Sequence, residues 1–149
     1  MIALARGDTV AVVASGFAVR PEPLAAGLTE LRRMGYEPAP GRNLAAREGY
    51  LAGSDATRLA DLLAAWRDPR VRAIWFARGG YGTARLLDAI PWKELRRRPK
   101  LLIGYSDLTA LFPVAAERTG SRCIHGPLVA ELGRPEAFHR ASLRAALAG

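Results

Sequence analysis

The chain has 149 residues, of which half are apolar and 24% are charged, and this is the size and composition of one globular domain. No apolar run approaches the roughly 20 residues that cross a bilayer, and the first residues lack the apolar core of a secretory signal. We therefore expect a cytoplasmic protein without a membrane partner.

The net charge of +8 raises the question of a nucleic-acid partner. The basic residues are spread along the chain, however, and only residues 94–100, "ELRRRPK", form a local cluster. A run of this kind is usually a solvated polar connection, so we expect no nucleic-acid binding. A second explanation of the charge is an acidic partner domain that is missing from this chain.

Short apolar runs rich in β-branched residues alternate with segments whose apolar residues fall on one helical face. Proline, glycine and capping residues mark the ends of these segments. The predicted elements are strand 9–15, helix 21–34, edge strand 36–40, helix 55–67 capped by Ser54 or Asp55, strand 71–78, helix 83–90, strand 100–106, helix 107–120, strand 121–126 and helix 134–149.

This alternation predicts an α/β fold with a parallel sheet covered by helices on both faces. By analogy with flavodoxin-like and class I glutamine-amidotransferase-like folds, we expect the strand order 2-1-3-4-5. Ligands of such sheets bind at the carboxyl ends of the strands. Three stretches lie at such ends: residues 15–16, residues 77–82 ("ARGGYG") and residues 104–107 ("GYSD").

The "GYSD" stretch lies where a predicted strand passes into a helix, which is the setting of a nucleophile elbow. There Ser106 would expose its hydroxyl above the sheet, and the N–H of Asp107 would point toward an oxyanion. The match to G-x-S-x-G is incomplete, because Gly104 is present but Leu108 replaces the second glycine. Helix capping by Ser106 or Asp107 remains an alternative.

The "ARGGYG" stretch matches neither a Rossmann fingerprint nor a P-loop, because its glycine order differs and it has no Gly-Lys-Ser/Thr. Two interpretations remain open. The glycines can form a tight turn, or they can let the backbone approach a substrate and donate N–H groups to it.

The remaining candidates for chemistry are two histidines and one cysteine. These do not match a zinc pattern, and we expect neither a metal nor another cofactor. His125 ends a strand at the ligand-binding edge, although a structural role is the simpler interpretation, and His139 is predicted on the surface of the last helix. Cys123 cannot form an internal disulfide and is predicted to be buried.

Four blocks of the sequence, taken in order and with their spacing, carry a specific resemblance. They resemble the LD-carboxypeptidases of peptidase family S66, which are muramoyltetrapeptide carboxypeptidases, and the related microcin self-immunity hydrolases. The resemblance covers roughly residues 7–135. The blocks are residues 50–66 ("YLAGSDATRLADLLAAW"), 73–90 ("AIWFARGGYGTARLLDAI"), 101–111 ("LLIGYSDLTAL") and 124–127 ("IHGP").

The resemblance implies a serine peptidase of murein recycling. Its substrate is a murein tetrapeptide, and it cleaves between L-lysine, or the L-centre of diaminopimelate, and the terminal D-alanine. Ser106 would be the nucleophile, and the backbone N–H groups of Asp107 and Gly80 would form the oxyanion hole. Gly79, Tyr81 and Gly82 of the same turn are expected to contact the substrate.

Family members are about twice as long as this chain, and a second domain supplies their catalytic glutamate and histidine. Residues 1–149 are therefore expected to be the N-terminal domain, inactive alone and part of a homodimer when complete. Neither His125 nor His139 lies where the family has its base. Two other functions stay open: a non-catalytic module that binds a peptide or phosphate, and an amide hydrolase of the microcin-immunity type.

Overall fold

A computed structural model describes residues 2–134, 136 and 138–149. Its strands are β1 (Thr9–Val13), β2 (Glu37–Pro40), β3 (Val71–Phe76), β4 (Leu101–Gly104) and β5 (Arg122–His125). Within the described residues they form one parallel sheet in the order β2-β1-β3-β4-β5. The predicted fold class and strand order are confirmed.

Helices cover both faces of this sheet, as the alternation of the sequence predicts. The α-helices are α1 (Pro21–Arg33), α2 (Asp55–Arg67), α3 (Trp92–Leu95), α4 (Phe112–Thr119) and α5 (Arg140–Ala148), and 3₁₀ segments lie at Ala84–Ala89, Ser106–Ala110 and Val129–Glu131.

Successive residues of each strand point to opposite faces, and this divides the core in two. Val10 and Val12 of β1 face one cluster, which includes Leu31 of α1 and Leu147 of α5. Ala11 and Val13 face the other, which is closed by α2 and α4. The central strands are buried on both faces, so their carboxyl ends are the part of the sheet open to a ligand.

Two predicted helices differ from the observed elements. The segment predicted over 107–120 is a 3₁₀ turn followed by α4, with Pro113 at the start of the α-helix. A proline inside a continuous helix would clash with the carbonyl four residues before it, and the break avoids this clash. The segment predicted over 83–90 is entirely 3₁₀.

The last helix starts later than predicted, at Arg140, because the ring of His139 caps it by accepting a hydrogen bond from Ser142 N–H. The earlier part of that prediction includes residues 135 and 137, which lie outside the described residues. The short helix α3 was not predicted. It forms because Leu95 is buried and Trp92 packs edge-on against Trp66, with 6.2 Å between the ring centroids.

Two residues differ from their predicted environments. Lys100, in the connection predicted to be solvated, is buried, and its Nζ donates to the carbonyl oxygens of Asp68 and Val71. Burial lowers its pKa. Cys123 is only half-buried, and the desolvation of its thiol raises its pKa to about 11. Among the described helices, none combines the length and apolarity that a membrane crossing requires.

Candidate active site

Ser106 lies on a sharp turn between β4 and the following 3₁₀ segment, and its backbone is strained. Its φ of 65° makes it the only residue other than glycine with positive φ in the described part of the chain. A non-glycine residue in this region costs about 1–3 kcal/mol, and such strain is held by the surrounding structure, often at functional sites. The residue is exposed. This is the geometry of a nucleophile elbow.

The capping alternative has less support from this geometry. Within the described residues, neither side chain makes a capping hydrogen bond at the start of the Ser106–Ala110 segment. The carboxylate of Asp107 instead accepts a 2.8 Å hydrogen bond from the backbone N–H of Thr83. Asp107 therefore links the "GYSD" turn to the "ARGGYG" turn.

The "ARGGYG" turn lies directly against this serine. A β-carbon at Gly79 would lie 3.1 Å from Cβ and 3.3 Å from Oγ of Ser106. At Gly80, where φ is 110°, a β-carbon would lie 2.2 Å from the ring of Phe17. Close approach to Ser106 and to Phe17 therefore requires glycine at both positions.

The third predicted stretch, residues 15–16, completes the contact between strand ends. Ser15 Oγ and Thr83 Oγ1 share a buried 2.8 Å hydrogen bond. A β-carbon at Gly16 would lie 2.8 Å from Oδ2 of Asp107 and 2.9 Å from the carbonyl oxygen of Gly79. The carboxyl ends of β1, β3 and β4 therefore meet at Ser106.

Several backbone N–H groups at this junction have no acceptor within the described structure. They are the N–H groups of Gly79, Gly80, Tyr81, Gly82, Ser106 and Asp107. An oxyanion hole consists of donors that are not already occupied, and the predicted pair, Gly80 and Asp107, meets this condition.

Arg58 is a structural support of the site that the sequence interpretation missed. Its side chain is fully buried. It donates to the carbonyl oxygens of Gly53 at 3.2 Å, Gly82 at 3.0 Å and Ser15, and it pairs with Asp55. Arg58 thereby ties the glycine turn to the end of β1 and to α2. The signal was available: an arginine one turn before Leu62 lies on the buried face of the helix.

An open cavity of about 370 Å³ lies beside Ser106. Arg20, Arg78, Arg134 and Glu131 are the charged residues that line it. Glu131 is already engaged, because it accepts from Tyr105 Oη at 2.7 Å and from the N–H of Leu128 at 2.9 Å. The hydrogen bond that Tyr105 Oη donates to Glu131 raises the pKa of Tyr105. With three arginines against one carboxylate, the described lining carries a net positive charge. Its other described residues are Phe17, Val19, Pro23, Gly79, Gly80, Tyr105, Ser106, Leu128 and Ala130.

The other predicted substrate contacts lie away from this lining. Tyr81 is 53% exposed to solvent, and Gly82, with φ of 123°, packs against Arg58 and Leu51. Of the predicted contacts, Gly79 alone is among the described residues that line the cavity.

Neither histidine is hydrogen-bonded to Ser106 in the described structure. His139 caps α5, and the His125 ring lies with its centroid 5.7 Å from that of Tyr105. Within residues 2–134, 136 and 138–149, no group of three or more histidine, cysteine, aspartate or glutamate residues could hold a metal ion. The described structure thus places a strained, exposed serine beside unoccupied backbone N–H groups, with no histidine hydrogen-bonded to its hydroxyl.

Comparison with known proteins identifies the family. The model of the LD-carboxypeptidase N-terminal domain, peptidase family S66, matches residues 10–126. The chain belongs to this family. A probable murein peptide carboxypeptidase of Bacillus subtilis is 40% identical over 127 residues, which cover 85% of this chain and 40% of the relative. The murein tetrapeptide carboxypeptidase of Pseudomonas aeruginosa is 40% identical over 125 residues, which cover 83% of this chain and 40% of that protein.

The fold of the family is also seen in a solved structure. The crystal structure of an MccF-like protein from Bacillus anthracis superposes with a TM-score of 0.91 at 26% identity, over 99% of this chain and 46% of that one. The S66 chain described here therefore spans less than half the length of each of these proteins.

Proposed function

We propose that the chain is the nucleophile-bearing half of a serine LD-carboxypeptidase that removes the terminal D-alanine from murein tetrapeptides. The observation that carries this proposal is the strained Ser106 at the end of β4, beside the unoccupied N–H groups of Gly80 and Asp107. The substrate class is that of the relatives, a probable murein peptide carboxypeptidase of Bacillus subtilis and the murein tetrapeptide carboxypeptidase of Pseudomonas aeruginosa.

The reaction would be an acyl transfer to Ser106 followed by hydrolysis. Ser106 Oγ attacks the carbonyl carbon of the bond before D-alanine while a base takes the hydroxyl proton. The carbonyl oxygen becomes an oxyanion and accepts hydrogen bonds from Gly80 N–H and Asp107 N–H. The C–N bond then breaks, the base returns the proton to the amine of D-alanine, and water releases the peptide from the ester.

We propose that the base comes from outside the described residues, since none of them is hydrogen-bonded to the serine hydroxyl. We assign this role to a glutamate and a histidine of a second domain, as the family resemblance implies. The chain alone is then inactive, since loss of a triad member removes most of the rate. The complete enzyme would act in cytoplasmic peptidoglycan recycling as a homodimer.

The test combines the chain with the separately produced C-terminal half of a family member and measures D-alanine release from L-Ala-γ-D-Glu-L-Lys-D-Ala. We expect release only when both halves are present. Ser106→Ala should abolish it, by about 10³-fold or more, whereas the exposed Ser142→Ala serves as the matched control and should retain it. If Ser106→Ala releases D-alanine at the parent rate, Ser106 is not the nucleophile.

A second candidate is an amide hydrolase of the microcin-immunity type, because the MccF-like structure shares the fold at 26% identity. The same complemented protein should be given an aminoacyl-nucleotide amide beside the tetrapeptide. Preferential cleavage of the nucleotide amide would favour this second function.

A further inference from the structure

We propose that Arg78 binds the terminal carboxylate of the peptide and so restricts the enzyme to the last residue of a chain. This inference rests on the proposed carboxypeptidase function, and it assigns a carboxylate subsite to the cavity beside Ser106.

The first argument is position. A carboxypeptidase that removes one residue has its substrate carboxylate about one residue, or roughly 3.6 Å of extended chain, beyond the carbonyl that is attacked. Arg78 directly precedes Gly79, which approaches Ser106 so closely that a β-carbon would lie 3.3 Å from Oγ. The Arg78 side chain lines the same cavity as Ser106. It therefore starts beside the reacting atoms.

The second argument is that the Arg78 guanidinium is held in place and still has donors to offer. Its Nη1 donates to the carbonyl oxygen of Ala18 at 2.7 Å, and its central carbon lies 5.6 Å from the centroid of the Phe17 ring. Among the described residues, Arg78 forms no ion pair with a carboxylate. A planar guanidinium can offer two parallel N–H groups to a carboxylate, and one that is already oriented loses less entropy on binding.

The third argument is the charge of the cavity. Arg20 and Arg134 also line it, and the one carboxylate of its described lining, Glu131, is engaged by Tyr105 and Leu128. An anion is therefore favoured there. Arg78 is distinguished from the other two arginines by its anchors at Ala18 and Phe17 and by its neighbour Gly79.

This subsite explains exopeptidase specificity in physical terms. A peptide that continues beyond the cleaved bond has a neutral amide where a carboxylate would pair with Arg78. It would lose the charge-assisted hydrogen bonds that a carboxylate makes with Arg78.

The test uses the 149-residue chain itself, labelled with ¹⁵N, and two peptides that differ in one group: L-Ala-γ-D-Glu-L-Lys-D-Ala and its C-terminal carboxamide. Binding is followed by the amide resonances of Gly79, Gly80 and Asp107. We expect the carboxylate peptide to bind about tenfold or more tightly than the carboxamide. Arg78→Gln should abolish this discrimination and leave carboxamide binding unchanged.

Two further variants make the result specific. Arg78→Lys keeps the charge but loses the planar pair of donors, so part of the discrimination should remain. Arg118→Gln, at an exposed arginine outside the cavity lining, is the matched control and should keep it in full. A parent chain that binds both peptides equally or binds neither, or an Arg78→Gln variant that still discriminates, overturns the proposal.

The outcomes also separate this inference from the proposed function. If the complemented enzyme releases D-alanine while Arg78→Gln still discriminates, the carboxylate subsite is wrong and the carboxypeptidase function stands. If the parent chain discriminates and the complemented enzyme releases no D-alanine, the subsite stands and the proposed reaction is wrong.

Discussion

The two sides of the candidate site are built differently. On the side of the nucleophile, the ends of β1, β3 and β4 interlock through Ser15, Thr83 and Asp107, and buried Arg58 holds the turn from behind. On the side of β5, the strand is only partly buried and His125 is exposed. The first side is preorganised without a ligand. On the second side, His125 is not hydrogen-bonded to Ser106 in the described structure.

The largest change we predict in the stability of the nucleophile side is from Arg58→Ala. It leaves the carbonyl oxygens of Ser15, Gly53 and Gly82 without their buried donor and should lower the free energy of unfolding by about 3–5 kcal/mol. Urea unfolding of the chain measures this.

The matched control for Arg58 is Arg85, which pairs with the same Asp55 from an exposed position. Arg85→Ala should cost less than about 1 kcal/mol. If both variants lose the same free energy of unfolding, the burial of Arg58 does not stabilise the nucleophile side. The difference that we describe between the two sides would then be wrong.

A smaller loss is expected from Gly80→Ala. The new methyl group would lie 2.2 Å from the Phe17 ring, and the backbone has a positive φ of 110°. Overpacking and backbone strain together should cost about 3 kcal/mol. Gly120→Ala is the control, because its φ of 74° is also positive but nothing lies within 4 Å of the new methyl group. We expect about 1 kcal/mol there, measured by thermal unfolding, and similar values for both variants would exclude a steric role for Phe17.

The smallest of these effects concerns α5, which borders the β5 side of the site. Glu30 of α1 forms ion pairs with Arg33 and with Arg140 of α5. These pairs lower the pKa of Glu30 from 4.5 to about 2, and the hydrogen bond from Arg33 has the larger effect. A carboxyl whose folded pKa is depressed stabilises the fold above its unfolded pKa. Its contribution of about 1–3 kcal/mol should therefore be lost as the pH falls from about 4.5 toward 2.

Glu30→Gln should flatten the acid limb of the stability curve, measured by urea unfolding at pH values from 6 to 2. Asp68 provides the control, since its pKa is also lowered to about 2, by Arg70, but the pair is exposed and screened by solvent. Asp68→Asn should leave the acid limb close to that of the parent chain. If the free energy of unfolding of Glu30→Gln falls with pH as it does in the parent chain, the ion pair does not help to hold α5.

The sequence predicted the fold well because its signals are local and periodic. Apolar runs, helical faces and the Ser54 cap identify the strands and helices, and the cap is observed as Ser54 Oγ accepting from Thr57 N–H. Where the pattern was ambiguous the bounds moved, as at Pro113, where one predicted helix became two segments. The short helix α3 was missed because its formation depends on packing against Trp66.

At the site, the sequence by itself singled out Ser106, Asp107 and the glycine turn, since strand-end position and residue type can be read along the chain. Only the tertiary structure decided that Gly79 abuts the serine, that Asp107 holds Thr83 and that Arg58 is buried behind the turn. These contacts join residues 24 to 43 positions apart. Such neighbours are set by the order of parallel strands, which brings distant strand ends together and leaves no periodic mark in the sequence.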